Sequence, residues 1–404
     1  MFLYSQQINK SFLYLFNNAL TQKALFLTLF FILESFYITA IITFLFSLIL
    51  AIILVPKVRY IVKFRELNDH PGVRSSHLDS TPTIGGVAFF LIILFVSSII
   101  NPWDSQMIGV NLLSALGLMF AVGIKDDLMV STPRAKIGAE VLAIFFILFC
   151  NCLHVNSFQG FLGIENIPVF ASYAFIILML LTIINSYNMV DGIDGLASSI
   201  GIVIFSVYGF IFFILELQYY FLLCLSLTGI LLGYLQFNLS KKDKIFMGDT
   251  GSLIIGFCIG FLSLRFLSTD IDTLQQNYFN PENTLILIGA IFFIPLFDTL
   301  RIIGVRLLNK KSPFGSDHNH IHHILIKLGL SHLKASLLLS FINLLIAAIF
   351  ISISSYFNSY EMMGLMVFCF CVFSGIFYRL KIKIKTETKK ETKIAKKEKI
   401  HKSA

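Results

Sequence analysis

The sequence predicts an all-α, polytopic membrane protein with about eleven transmembrane helices. Of its 404 residues, 56% are hydrophobic and only 13% are charged. Runs of about 18 or more apolar residues recur along most of the chain, each near the roughly 20 residues that cross about 30 Å of hydrocarbon. These runs are continuous rather than alternating. That excludes a β-barrel, the other architecture that satisfies its backbone in lipid.

The spans are expected at 37–56, 83–100, 107–124, 136–153, 169–187, 195–215, 218–236, 251–268, 284–305, 333–354 and 360–379. Residues 1–36 form an apolar N-terminal segment that is interfacial or an extra span, and 37–380 the transmembrane domain. No basic stretch followed by a small-residue cleavage site precedes it, so no cleaved signal peptide is expected. Residues 381–404 form a Lys-rich tail with nothing to bury, expected to be disordered near anionic headgroups. The six Cys lie in or beside apolar runs without Cys-x-x-Cys spacing and read as small hydrophobes rather than thiolate ligands.

Topology follows from the basic residues. All but three of the 31 Lys and Arg, namely Lys10, Lys23 and Arg265, fall in the connections before spans 2, 4, 8 and 10 or in the tail. The positive-inside rule makes that side cytoplasmic, with the N-terminus outside and the C-terminus inside. It also accounts for the basic tail, so no nucleic-acid partner is expected.

Every polar cluster falls on that same side. Before span 2, Thr81-Pro82-Thr83-Ile84-Gly85-Gly86 reads as a turn in which Thr81 or Thr83 caps the helix, or as an exposed helix start receiving an anion near Arg74 and His77. Before span 4, Asp126 and Asp127 are adjacent carboxylates, followed by Arg134 and Lys136. Such carboxylates repel unless a cation lies between them, which favours a metal or a general base over a solvated turn.

Before span 6, Asn185-Ser-Tyr-Asn188-Met-Val-Asp191-Gly-Ile-Asp194-Gly195 places two Asn and two Asp at three-residue spacing. Each three-residue step turns a helix by about 300°, so an unbroken helix would face Asn185 and Asp194 to opposite sides. The helix must break at Gly192 and Gly195, leaving Asn185 and Asn188 at the end of span 5 and Asp194 as a candidate N-cap of span 6. Carboxylates beside lipid are costly, and such a cluster is read as functional.

Gly248-Asp249-Thr250-Gly251-Ser252 opens span 8, with Asp249 either an N-cap or a carboxylate that a phosphate or hydrated metal can approach. Asp298 and Arg301 near the end of span 9 precede His318, His320, His322 and His323. His-rich loops without Cys are weak zinc evidence, so phosphate or sugar contact is the preferred reading. Oxygen donors from Asp and Asn suit Mg²⁺, or Mn²⁺, rather than zinc. A hydrated divalent metal, Gly-rich helix starts, Lys136, Arg301 and a His loop together imply a diphosphate met at the cytoplasmic lipid surface.

Taken in order, Thr-Pro-Thr-Ile-Gly-Gly (81–86), Asp126-Asp127, Asn-x-x-Asn-x-x-Asp-Gly-x-Asp-Gly (185–195), Gly-Asp-Thr-Gly-Ser (248–252) and His-Ile-His-His (320–323) resemble the polyprenyl-phosphate N-acetylhexosamine-1-phosphate transferases, glycosyltransferase family 4. The resemblance covers about residues 57–335. It implies transfer of a sugar-1-phosphate from a UDP-N-acetylhexosamine to undecaprenyl phosphate, with release of UMP and a need for Mg²⁺, at the cytoplasmic face of the inner membrane.

Asp317-x-x-His320-Ile-His-His is similar to the GlcNAc-1-phosphate branch. The phospho-MurNAc-pentapeptide transferases have three consecutive His instead, and that activity is the alternative.

By the resemblance, Asn188 and Asp249 hold the metal. Asp126 deprotonates or orients the lipid phosphate, Asp127 supports it and Lys136 contacts phosphate. Thr83, Asn185 and Arg301 join the substrate site; Asp191 and Asp194 face the nucleotide; His320, His322 and His323 face the diphosphate–sugar. Expected partners are the two substrates, membrane lipid and a second copy of the chain. An ion-coupled transporter, the rival from another class, would hold its carboxylates near mid-membrane.

Overall fold

The computed structural model describes residues 35–64, 68–69, 81–129, 132–149, 153, 155–310 and 320–403. It is a helical bundle: α1 (Ser35–Phe64), α2 (Gly86–Ile100), α3 (Ile108–Leu128), α4 (Pro133–Leu148), α5 (Val169–Val190), α6 (Leu196–Ile214), α7 (Gln218–Asn238), α8 (Gly248–Leu267), α9 (Ile271–Gln276), α10 (Thr284–Ile291), α11 (Phe293–Leu308), α12 (Ile321–Lys327), α13 (His332–Ile353) and α14 (Ser359–Ser403). The extended structure among these residues is slight, an antiparallel pair β1 (Asn68–Asp69) with β2 (Thr81–Pro82) and a single bridge at Ser157 and Asn166.

Nine described helices are long and apolar enough to cross a membrane. Two of the eleven expected spans differ. The fourth, expected over 136–153, is the 16-residue α4, whose helix begins with Pro133; at 1.5 Å per residue it reaches only about 24 Å. The ninth, expected unbroken over 284–305, is α10 and α11, bent by 77° at Phe292. Pro295 lacks the N–H that would continue the ladder to the Ile291 carbonyl, so the helix opens there. Asn343 of α13 fills the gap, accepting from the Ile294 N–H at 2.9 Å and donating to the Ile291 carbonyl at 2.8 Å. The tail also differs: α14 continues as helix to Ser403 where disorder was expected. Its Lys, Glu and Ala residues have high helix propensity and continue an existing helix without a new nucleus.

α8 is the axis of the bundle, its entire apolar window buried, with α5, α3 and α2 against it. Small residues every fourth position (Gly248, Ser252, Gly256, Gly260) let neighbouring backbones approach closely. A Cβ on Gly86 of α2 would lie 2.1 Å from the Gly251 nitrogen, and one on Gly123 of α3 would lie 2.4 Å from the Thr250 Cα. The start of α8 is therefore wedged between α2 and α3.

Three capping expectations are corrected. α2 is capped neither by Thr81 nor by Thr83; its first N–H groups, Gly85 and Gly86, donate to the carbonyls of Phe246 and Met247 at 3.0 Å each. α6 starts after Gly195 at φ +79°, and Asp194 makes no cap bond. Asp249 lies inside the first turn of α8, and the cap comes from another helix, as described below.

Candidate active site

The structure brings the described polar clusters to one end of the bundle; Arg74, His77, Asp317 and His318 lie outside the described residues. The last turn of α3, the first turn of α4, the end of α5 and the start of α8 meet there. Lys136 Nζ donates to Asp249 Oδ1 at 2.6 Å and to Asp126 Oδ2 at 3.1 Å. Asn188 Nδ2 donates to the same Asp249 Oδ1 and to Ser252 Oγ, both at 2.6 Å. One ammonium thus holds together two carboxylates that would otherwise repel.

Asp127 faces the other way. Its Oδ1 accepts the Asp249 N–H at 2.7 Å, while Oδ2 accepts the Thr250 N–H at 3.1 Å and the Thr250 hydroxyl. It caps α8 from α3, satisfying two of the N–H groups that a helix start leaves open. Gly248 permits this approach, with φ +72° and a Cβ position only 2.7 Å from Asp127 Oδ2.

One buried polar residue beside this cluster is absent from the sequence reading. Glu140, one turn beyond Lys136, is fully buried and accepts from Asn185 Nδ2 at 2.6 Å. The only signal available in the sequence is a lone acid in an otherwise apolar run.

The α5–α6 break divides the long motif as its spacing requires, at residues 191–195. Asp194 turns outward: its Oδ2 lies 2.7 Å from Lys244 Nζ and 2.9 Å from His332 Nδ1, and its carbonyl accepts from Ser336. Burial works to raise its pKa, but the hydrogen bonds from His332 and Lys244 prevail and hold it below the ordinary carboxylate value.

Among the described residues, no such cation faces Asp191. Burial first, then the negative charges of Asp249, Asp127 and Asp194, raise it to about 7. The stability linked to a raised carboxylate is complete below its unfolded pKa near ~4 and is lost as pH rises through about 7. Asp191→Asn is therefore expected to raise the unfolding midpoint at pH 8 in divalent-free buffer, with a smaller gain at pH 5. Equal gains at the two pH values would mean that Asp191 charge is not the cause.

The His loop is anchored by Asp298 of α11. Its Oδ2 lies 2.8 Å from His320 Nδ1, and its Oδ1 accepts from Arg301 Nη2 at 2.9 Å and the Ile321 N–H at 3.1 Å. Arg301 is thus bound to Asp298 on its own helix. His322 packs on the broken motif: a Cβ on Gly192 would lie 2.3 Å from its Nε2. Its ring lies parallel to that of His320 at 5.4 Å, with His323 at 4.3 Å. Burial, reinforced by the charge of His323, lowers His322 to about 3, so it is neutral at pH 7 and offers hydrogen bonds rather than charge.

Gly192→Ala is expected to swing this ring away and lower kcat about tenfold with little change in unfolding midpoint. Unchanged kcat would remove His322 from the reaction centre. Thr83 lies between Pro82, whose carbonyl accepts the Phe246 N–H, and Gly85, which donates to Phe246. It therefore sits beside the strand-like segment leading into Asp249.

Residues 108–267, from α3 to α8, match the model of glycosyl transferase family 4. Over that stretch the chain is similar to this family. Among its relatives, an undecaprenyl-phosphate alpha-N-acetylglucosaminyl 1-phosphate transferase of Escherichia coli O157:H7 is 29% identical, over 72% of this chain and 77% of its own length. A phospho-N-acetylmuramoyl-pentapeptide-transferase of Staphylococcus haemolyticus is also 29% identical, covering 71% of this chain and 89% of its own. So is a probable undecaprenyl-phosphate N-acetylglucosaminyl 1-phosphate transferase of Bacillus subtilis, covering 74% and 81%.

Within residues 108–267, the side chains that could hold a cation are Asn188 and Asp249. Among the described residues, no three His, Cys, Asp or Glu side chains converge as a preformed metal site. What does converge is mixed. Asn188 spends its amide nitrogen on Asp249 and Ser252, and Asp249 uses only Oδ1 toward described residues, so the Asn188 carbonyl and Asp249 Oδ2 are the oxygens left to a ligand. Oxygen donors beside the raised Asp191 fit Mg²⁺ or Mn²⁺.

Proposed function

We propose that this chain transfers N-acetylhexosamine-1-phosphate, specifically GlcNAc-1-phosphate, from UDP-GlcNAc to undecaprenyl phosphate. UMP leaves, and the product is the lipid-diphosphate-sugar that primes an envelope polysaccharide. One observation carries the reading: Lys136 is held between Asp126 and Asp249, beside Asn188, at the start of α8. A reaction that exchanges one phosphoanhydride for another asks mainly for positioning of two polyanions and relief of their repulsion. The Lys136 clamp supplies the positioning of Asp126 and Asp249, and a cation held by Asn188 and Asp249 would supply the relief of charge. The carboxylates lie at helix ends, Asp126 and Asp127 in the last turn of α3 and Asp249 in the first of α8, which favours an interfacial enzyme over a transporter with a midplane ion path.

In the direct scheme, an oxygen of the lipid phosphate attacks the sugar-bearing phosphorus. The new P–O bond forms as the bond to the α-phosphate breaks, and the electron pair leaves with UMP. Asp126 orients or deprotonates the lipid phosphate, Lys136 contacts phosphate, and Asp191 and Asp194 serve the nucleotide end. His320, His322 and His323 serve the diphosphate–sugar, and Thr83, Asn185 and Arg301 join the substrate site. Asn188 and Asp249 would hold Mg²⁺, which when bound neutralises diphosphate charge. The positive-inside reading of the basic loops favours the cytoplasmic face of the plasma membrane for this end of the bundle.

The preference for GlcNAc rests on His320-Ile321-His322-His323 and on the E. coli and B. subtilis relatives; the S. haemolyticus relative supports the MurNAc-pentapeptide alternative. The test is UMP release by purified protein with Mg²⁺, undecaprenyl phosphate and a panel of UDP-sugars including UDP-GlcNAc and UDP-MurNAc-pentapeptide. Release with UDP-GlcNAc is expected. Release with the pentapeptide substrate alone selects the alternative, and release with none removes the transferase reading. UMP exchange into UDP-GlcNAc without lipid would replace direct attack by a phosphoryl-enzyme on Asp126.

A further inference from the structure

Glu140 is a fully buried carboxylate that the proposed chemistry does not use. Its Oε2 accepts from Asn185 Nδ2 at 2.6 Å, and its Oε1 is buried without a hydrogen-bond partner among the described residues. Lys136 and Glu140 are four residues apart on α4, and Asn185 and Asn188 are three apart on α5, so each pair shares a helix face. Lys136 and Asn188 both donate to Asp249 Oδ1. The contacts therefore close a ring: Asp249 to Lys136, one turn of α4 to Glu140, across to Asn185, one turn of α5 to Asn188, and back to Asp249.

We propose that Glu140 is a positioning residue that acts through this ring. Together with Asn185 it forms a second clasp between α4 and α5, one helical turn deeper in the bundle than the Asp249 clasp. Without it, the hydrogen bonds that link the two helices near the site, among the described residues, run through Asp249, the group the proposed reaction also needs as a ligand. With it, Lys136 Nζ and the Asn188 amide keep their spacing when Asp249 engages a ligand. The bond to Asn185 needs an acceptor oxygen of this length, which a glutamine also supplies.

The inference rests on the transferase reading, and its test separates the two. Full-length Glu140→Ala, Glu140→Gln and Glu140→Asp proteins are compared by UMP release with Mg²⁺, undecaprenyl phosphate and UDP-GlcNAc. Glu140→Ala is expected to lower kcat about 30-fold with KM for the UDP-sugar within about twofold, the signature of lost transition-state positioning. Glu140→Gln should stay within about threefold of the parent, and Glu140→Asp, one methylene too short, should resemble Glu140→Ala. Full activity of Glu140→Ala, a change confined to KM, or Glu140→Gln as impaired as Glu140→Ala overturns the proposal.

A parent chain that releases no UMP from any UDP-sugar removes the transferase reading instead. The ring is then read from thermal unfolding. Glu140→Ala and Asn188→Ala, which share no hydrogen bond, should shift the midpoint non-additively, and additive shifts would sink the ring.

Discussion

Asp249→Ala is expected to lower kcat by at least about 10³-fold while the protein stays folded, because this carboxylate serves the site and hardly serves the helix on which it stands. Both Lys136 and Asn188 converge on its Oδ1, at 2.6 Å each, so its removal leaves Lys136 to Asp126 and Asn188 to Ser252 and takes away the charged oxygen proposed as a metal ligand. The N–H groups at the start of α8 are held by Asp127, a residue of another helix, and the Asp249 side chain is 34% exposed. Losing it also relieves repulsion on Asp191. The unfolding midpoint should therefore hold or rise.

Asp127→Ala should do the reverse first: it strips a cap worth about 1 kcal/mol, lowers the midpoint, and loses activity as the start of α8 frays. Measuring UMP release and thermal unfolding side by side separates the two carboxylates. Near-normal activity of Asp249→Ala at saturating Mg²⁺ would remove Asp249 from the centre.

What could be read in the sequence was what depends on local spacing. The apolar runs gave the long helices, and the three-residue period of Asn185, Asn188, Asp191 and Asp194 required the break found at 191–195. The shared side of the motifs in a Lys and Arg topology anticipated their meeting at one end of the bundle.

What could not be read depends on contacts distant in sequence. Asp194 finds Lys244 in the α7–α8 connection and His332 at the start of α13, 50 and 138 residues on, with no motif to mark either. Pro295 was visible, but an open break there is tolerable only because Asn343 of α13 satisfies both exposed backbone groups. Asp127 looked like a partner of Asp126 and is the cap of a helix 122 residues away. Capping expectations failed at α2, α6 and α8 for one reason: each helix start is packed against another element whose backbone or side chain supplies the bond, where local Thr and Asp would otherwise do so.

The same packing makes Gly86 the backbone position expected to tolerate least. A Cβ there would fall 2.1 Å from the Gly251 nitrogen and 2.4 Å from its Cα, both backbone atoms that no rotamer change can move. α8 cannot retreat, since Thr250 is already against Gly123 of α3, with only 2.4 Å between a Cβ at that position and the Thr250 Cα. Nor can α2 shift freely while the Gly85 and Gly86 N–H groups are bonded to Phe246 and Met247.

Overpacking of this kind costs about 1–3 kcal/mol, and any relief tilts the start of α8, taking Asp249 away from Lys136 and Asn188. Gly86→Ala is therefore expected to lower kcat at least about 100-fold and to lower the unfolding midpoint as well. Gly117→Ala on α3, whose added Cβ would meet nothing within 4 Å, is the matched control and should leave the midpoint unchanged or slightly higher through helix propensity. If Gly86→Ala behaves like Gly117→Ala in UMP release and thermal unfolding, the α2–α8 contact does not position the site. If it behaves as expected, the residues that make the chemistry possible include glycines that touch no substrate and act by letting three helices share one point.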